Sequence, residues 1–152
     1  MGLFGKLVNL LFILVYSPII LTSFMKIEHV SLWVADLEKM RKFYEKYFGA
    51  RSGNKYHNVE KDFSSYFLNF KPGCRLELMH HPDLSKKNNE KQQELGLAHF
   101  AISVGSKQMV DDLTAQLKKD GFTIESKPRT TGDGYYEAVV KDPEGNLVEI
   151  VT

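Results

Sequence analysis

Two histidines and two glutamates recur along this chain at nearly equal spacing. His29 and Glu77 lie 48 residues apart (77 − 29), and His99 and Glu149 lie 50 apart (149 − 99). Imidazole nitrogen and carboxylate oxygen are the donors that hold borderline divalent cations. If the chain is one unit made twice, each half supplies one of each, and the four can gather around a single cation. Side-chain parity supports this, because successive residues on a strand point to opposite faces. Val30, Leu32 and Val34 form one apolar row, with His29, Ser31 and Trp33 opposite. Phe100, Ile102 and Val104 form another, opposite His99, Ala101 and Ser103. Glu77 sits between Leu76 and Leu78, and Glu149 between Val148 and Ile150, each facing away from its apolar neighbours.

The elements that must position these residues follow the same duplicated order. Asp36 is a good N-cap for a helix with Leu37, Met40, Phe43, Tyr44, Tyr47 and Phe48 on one face and Gly49 as its stop. Strands are expected at about Arg51–Glu60, Ser65–Phe70 and Cys74–His80, with Lys71-Pro72-Gly73 as a turn. A polar run over 82–94 reads as a linker between modules 25–81 and 95–152. Beyond it, Ala98–Val104 is a strand and Ser106 caps a helix with apolar positions Met109, Val110, Leu113 and Leu117, stopped at Gly121. A short strand near Phe122–Ser126, a loop over Pro128–Gly134, and strands Tyr135–Lys141 and Leu147–Thr152 complete the unit. The pattern β-α-β-β-β appears twice. It predicts an α+β fold in which two βαβββ modules form a cupped, open-barrel mixed sheet with helices outside.

The 152 residues carry 20 Lys and Arg against 19 Asp and Glu, for a net charge of +1. No basic stripe with interleaved aromatics points to nucleic acid. The single cysteine, Cys74, cannot form an internal disulfide and suits a packing role in a reducing compartment, so a cytoplasmic setting is expected. Residues 1–24 stand apart as an apolar leader with Lys6 as its only charge. From Leu7 to Phe24 a helix would reach roughly 27 Å, short of a typical hydrocarbon core. The leader lacks a small-x-small cleavage pattern and departs from the myristoylation pattern at Lys6. We expect it to be an upstream extension before a start at Met25, with a membrane anchor through residues 7–24 as the alternative.

Ile27-Glu28-His29-Val30, Leu76-Glu77-Leu78, Leu97-Ala98-His99-Phe100 and above all Asp142-Pro143-Glu144-Gly145-Asn146-Leu147-Val148-Glu149-Ile150 resemble the vicinal oxygen chelate superfamily over residues 25–152. That superfamily includes glyoxalase I, epimerases, extradiol dioxygenases, thiol transferases and bleomycin-binding proteins. A set of two His and two Glu is most similar to the glyoxalase I arrangement, which implies a divalent metal (Ni, Zn, Co or Mn) held by His29, Glu77, His99 and Glu149. It also implies a homodimer. Trp33 stands where similar bacterial glyoxalases carry an Arg that helps hold glutathione, and His81 stands where they carry an Asn. The thiol or the substrate is therefore expected to differ.

The resemblance implies proton abstraction next to a carbonyl, with an enediolate held on the metal and a thiol adduct of a 2-oxoaldehyde as the small-molecule substrate. Glu149 is the favoured base and Glu77 the alternative. Parity places Trp33 and Arg75 in the cup, Arg75 either as a clamp for a substrate carboxylate or phosphate or in a surface salt bridge. Tyr135 follows a glycine-rich loop and either closes over a substrate or is a plain strand aromatic. His57, His80 and His81 are expected to be surface residues. Two other functions remain open: a metal-free small-molecule binder of the bleomycin-resistance kind, and an Fe or Mn ring-cleaving dioxygenase.

Overall fold

A computed structural model describes residues 26–84, 97–132 and 134–152. The leader and most of the polar linker lie outside the described residues. Two modules repeat one topology. The first runs β1 (His29–Trp33), α1 (Leu37–Phe48), β2 (Arg51–Ser52), β3 (Tyr56–Asn58), β4 (Phe63–Asn69) and β5 (Arg75–His80). The second runs β6 (Phe100–Ser103), α2 (Lys107–Lys119), β7 (Ile124–Thr130), β8 (Tyr136–Lys141) and β9 (Leu147–Val151). The fold is α+β, as expected. Each module keeps its own cupped, open mixed sheet, ordered β1-β5-β4-β2 with β3 also on β4, and β6-β9-β8-β7. In both, the first strand runs parallel to the last, and the remaining pairs are antiparallel.

The helices form where their caps dictate. The Asp36 side chain accepts from the Lys39 amide at 2.9 Å, and Gly49 closes α1 in the left-handed region (φ 64°), where a Cβ would be strained. Ser106 accepts from the Met109 amide in the same way. Leu37, Met40, Phe43 and Tyr44 are buried on the face of α1. On α2 the buried positions are Val110, Thr114 and Leu117, while Met109 is half exposed instead of buried as expected. Thr114 takes the core position because its hydroxyl donates to the Val110 carbonyl at 2.6 Å and so loses its polarity.

Three strand boundaries differ from expectation. The expected strand over 51–60 is broken into β2 and β3, both paired to β4. His99 lies one residue before β6. β7 continues through Pro128 to Thr130, because it is an edge strand where a residue without an amide hydrogen breaks no second ladder, and its register to β8 is irregular there.

The inner rows of both sheets meet in one core. Leu32, Val34, Leu68, Leu76 and Leu78 of the first module and Ala138, Val140, Val148 and Ile150 of the second belong to a single buried cluster with α1. The seam is aromatic: Phe43 meets Phe122 at 4.9 Å and Tyr44 meets Phe100 at 6.2 Å between ring centres. Truncating a fully buried core residue such as Met40 to Ala costs about 2–5 kcal/mol in proteins of this density. The Asp142–Asn146 turn fastens the seam. The Asp142 carboxylate accepts from Tyr44 Oη at 2.8 Å, from the Glu144 and Asn146 amides and from Asn146 Nδ2. Glu144 accepts from the Ala35 and Asp36 amides at 2.8 and 2.7 Å, at the entry to α1.

Candidate metal centre

The first half of the site is built on β1, β5 and β4. In register, Ser31 sits beside Glu77, which sits beside Phe67. Leu76 and Leu78 go into the core, so Glu77 faces the other way, as parity predicted. Its carboxylate is mostly buried, and Oε2 accepts from Ser31 Oγ at 3.0 Å. His29 Nε2 lies 3.9 Å from the same oxygen. On the opposite side of the ring, His29 Nδ1 lies 2.6 Å from Glu28 Oε2. Arg75 donates to Glu28 Oε1 through both Nε and Nη2 at 2.6 Å. That guanidinium first, and His29 second, hold the Glu28 carboxyl at about 2, below the ordinary 4.5. Arg75 is thus engaged by a residue of its own chain.

The second half repeats the arrangement on β6 and β9. Ala101 sits beside Glu149, which sits beside Val139 on β8. Val148 and Ile150 are buried, and Glu149 faces away from them. His99 Nε2 lies 3.3 Å from Glu149 Oε2. Both imidazoles are about half exposed, at 40% and 49%, and both carboxylates are mostly covered, at 14% and 16%.

The four expected ligands are therefore brought together as two pairs. Among the described residues, no group of three or more His, Cys, Asp or Glu side chains converges. Each pair lies on the far side of its own sheet from the shared core. Two hollows of about 440 and 310 Å³ lie elsewhere, one between α2 and β7 and the other between the end of α1 and β6, and neither touches a pair.

A sequence profile of the glyoxalase/bleomycin resistance protein/dioxygenase superfamily matches residues 26–150. The chain belongs to that superfamily. It is 31% identical over 127 residues to lactoylglutathione lyase GLX1 of Arabidopsis thaliana, covering 81% of this chain and 42% of that protein. It is 29% identical over 131 residues or so of the matched region in bacterial relatives, among them the probable lactoylglutathione lyase of Vibrio parahaemolyticus, with 83% of this chain and 89% of that protein covered. The crystal structure of glyoxalase I from Zea mays superposes with a TM-score of 0.66 at 25% identity, over 83% of this chain and 44% of that one. The chain spans less than half the length of these plant relatives.

Within this glyoxalase-superfamily chain, other residues have clear places. Trp33 is half exposed and meets Phe63 edge-on at 6.1 Å, and Phe63 in turn meets Tyr56 at 6.1 Å. Phe63 and Phe67, four residues apart, share one face of β4 with Ser65 between them, and Phe67 lies beside Glu77. Tyr135 is exposed just before β8. His80 contacts the Val34 carbonyl through Nδ1 at 2.9 Å, His57 contacts Ser64, and His81 accepts from the Asp83 amide. Cys74 is half-buried and its thiol donates to the Arg75 carbonyl. No helix among the described residues is long and apolar enough to cross a membrane.

Sequence reasoning missed two residues. Glu28 precedes β1, where strand alternation does not apply. Glu137, two residues from Val139 on β8, shares the Glu149 face, is buried and pairs with Arg129 Nη2 at 3.1 Å. The alternation of Glu137 and Val139 against buried Ala138 and Val140 was the signal that could have found it.

Proposed function

We propose that the protein is a metal-dependent lyase or isomerase of the glyoxalase I kind, whose complete site is assembled from two copies of the chain. The observation that supports it is the recurrence, at equivalent places on two sheets, of an imidazole Nε2 within 3.9 and 3.3 Å of a carboxylate oxygen. Two ordinary bonds to a borderline cation, each roughly 2.0–2.2 Å, together exceed both separations, so one cation can touch both members of a pair. A pair is only half of a four-ligand set. Since each pair faces away from the shared core, its complement comes from a partner. A two-fold dimer that sets His29 and Glu77 of one protomer against His99 and Glu149 of the other completes two equivalent sites. The unit doing this is residues 25–152, with 82–94 joining its modules, and the free Cys74 thiol fits a reducing, cytoplasmic setting.

When bound, a Ni, Zn, Co or Mn dication supplies a Lewis acid for two adjacent oxygens of a 2-oxoaldehyde–thiol adduct. The proton work falls to the chain. A carboxylate must reach the carbon next to the carbonyl, take its proton and return it to the neighbouring carbon. We assign the base role to Glu149, with Glu77, which Ser31 engages, as the alternative. Trp33 and Tyr135 wall the substrate. The aromatic row at Trp33, Phe63 and Phe67 favours a thiol portion less polar than glutathione.

Mixing two inactive double variants tests this. His29→Ala/Glu77→Ala and His99→Ala/Glu149→Ala each lose Co²⁺ binding and turnover of methylglyoxal with a panel of thiols. In a trans site, their one-to-one mixture after co-refolding recovers about a quarter of the wild-type signal, because half of the dimers carry one intact site of two. No recovery overturns the shared site. A wild-type protein that takes up no metal on reconstitution is instead a small-molecule binder of the bleomycin-resistance kind, and iron with oxygen uptake marks a dioxygenase.

A further inference from the structure

Glu28 stands immediately before β1, on the strand that forms the open edge of the first sheet. Its backbone is anchored: the Arg75 amide donates to the Glu28 carbonyl at 2.9 Å, extending the parallel register in which His29 lies beside Arg75. Its carboxylate reaches His29 Nδ1 with one oxygen and the Arg75 guanidinium with the other, all at 2.6 Å. Arg75 lies over the Phe67 ring at 4.0 Å, and His29 meets that ring edge-on at 5.4 Å. The contacts close a cycle from Glu28 to His29, Phe67, Arg75 and back to Glu28. An exposed carboxylate is held in one place by it.

The chemistry of the contact fixes a tautomer. An ionised carboxylate only accepts hydrogen bonds, so Nδ1 carries the proton, and in the neutral ring Nε2 carries the lone pair. Nε2 is also the nitrogen turned toward Glu77. Nothing comparable exists in the sequence of the second module, where Ala98 precedes His99 and Leu147 holds the register position of Arg75. We infer that Glu28, clamped by Arg75, is a positioning residue that locks His29 as the Nδ1–H tautomer and presents Nε2 to the bound cation. This rests on the assignment of His29 as a metal ligand. Arg75 accordingly serves the site by holding Glu28.

The tautomer is measurable without metal, by long-range ¹H–¹⁵N correlation of the His29 ring in the metal-free full chain at about pH 8, where an ordinary imidazole is neutral. The wild type is expected to show the Nδ1–H form. Glu28→Ala loses it, Glu28→Gln, which keeps one acceptor oxygen, falls between, and Arg75→Met weakens it. Co²⁺ titration, followed by absorption, is expected to show affinity about 10- to 100-fold lower for Glu28→Ala, the usual cost of removing a partner of a ligating imidazole. A carboxylate that only stiffened the strand edge would change the melting temperature in Glu28→Ala and leave both readouts alone. An Nε2–H ring in the wild type, an unchanged tautomer in Glu28→Ala, or equal Co²⁺ affinity in both overturns the inference while the metal function stands. Absence of Co²⁺ binding by a wild type with the expected tautomer overturns the metal function, and with it the purpose assigned to Glu28.

Discussion

The two His–Glu pairs share their residue types and differ in what surrounds them. In the first, Glu28 contacts the imidazole, Ser31 donates to the carboxylate and Arg75 holds Glu28. In the second, the matching positions are Ala98, Ala101 and Leu147, which offer no hydrogen-bonding side chain. Both modules keep the His and Glu and the strand register, while the contacts made by Glu28, Ser31 and Arg75 belong to the first. Register is a backbone property that any side chain tolerates. Those contacts depend on particular side chains.

The largest expected effect treats the halves as equals. His29→Ala and His99→Ala should each lower Co²⁺ affinity and kcat/KM by about a thousand-fold or more, since in the proposed site each removes a ligand from the same cation. A loss confined to one of them would break the equivalence. Next comes the seam that joins the modules: Asp142→Ala leaves Tyr44 and the turn amides without their buried acceptor and should cost about 3 kcal/mol in urea unfolding. Tyr44→Phe leaves Asp142 with three other donors and should cost about 1 kcal/mol. Ser31→Ala and Ala101→Ser sharpen the contrast itself. Removing the hydroxyl from Glu77 should change kcat by several-fold, about 1 kcal/mol, and adding one beside Glu149 should change kcat comparably. Similar kcat for wild type and both variants would show that these contacts have no catalytic consequence.

The smallest effect is at Asp120, which joins the modules on the outside. Tyr47, then Lys46 and Gln116, hold its carboxyl at about 2, below the usual 3.8. The folded value lies below the unfolded one, so its contribution is complete above about pH 4 and is lost as pH falls through about 2. Asp120→Asn should therefore narrow the difference in stability between pH 5 and about pH 2, read by acid titration of circular dichroism. Identical acid profiles would remove Asp120 from the inter-module contact. Because the group is open to solvent, a small change is expected.

Much of this was legible in the sequence. Asp36 and Ser106 named their own helices because an N-cap acts within three residues. Alternation placed Glu77 and Glu149 opposite the core because burial of one strand face is a strictly local pattern. It failed for Glu28, which stands outside the strand and reaches His29 around the sheet edge. It also failed to separate β2 from β3, since the exposed polar residues between them carry no periodicity. The role of the Asp142–Asn146 turn was hidden for another reason: Tyr44, its main side-chain partner, is 98 residues away.

The sequence by itself determined most of the elements, the duplicated order and the recurrence of His29 with Glu77 and of His99 with Glu149, because each follows from spacing along the chain. Only the tertiary structure decided how those four are shared out. Once Phe43 and Tyr44 of α1 pack against Phe122 and Phe100, the apolar faces of both sheets are committed to one core. Each His–Glu face then lies on the side of its sheet turned away from that core, a consequence of packing between distant residues that no local pattern encodes.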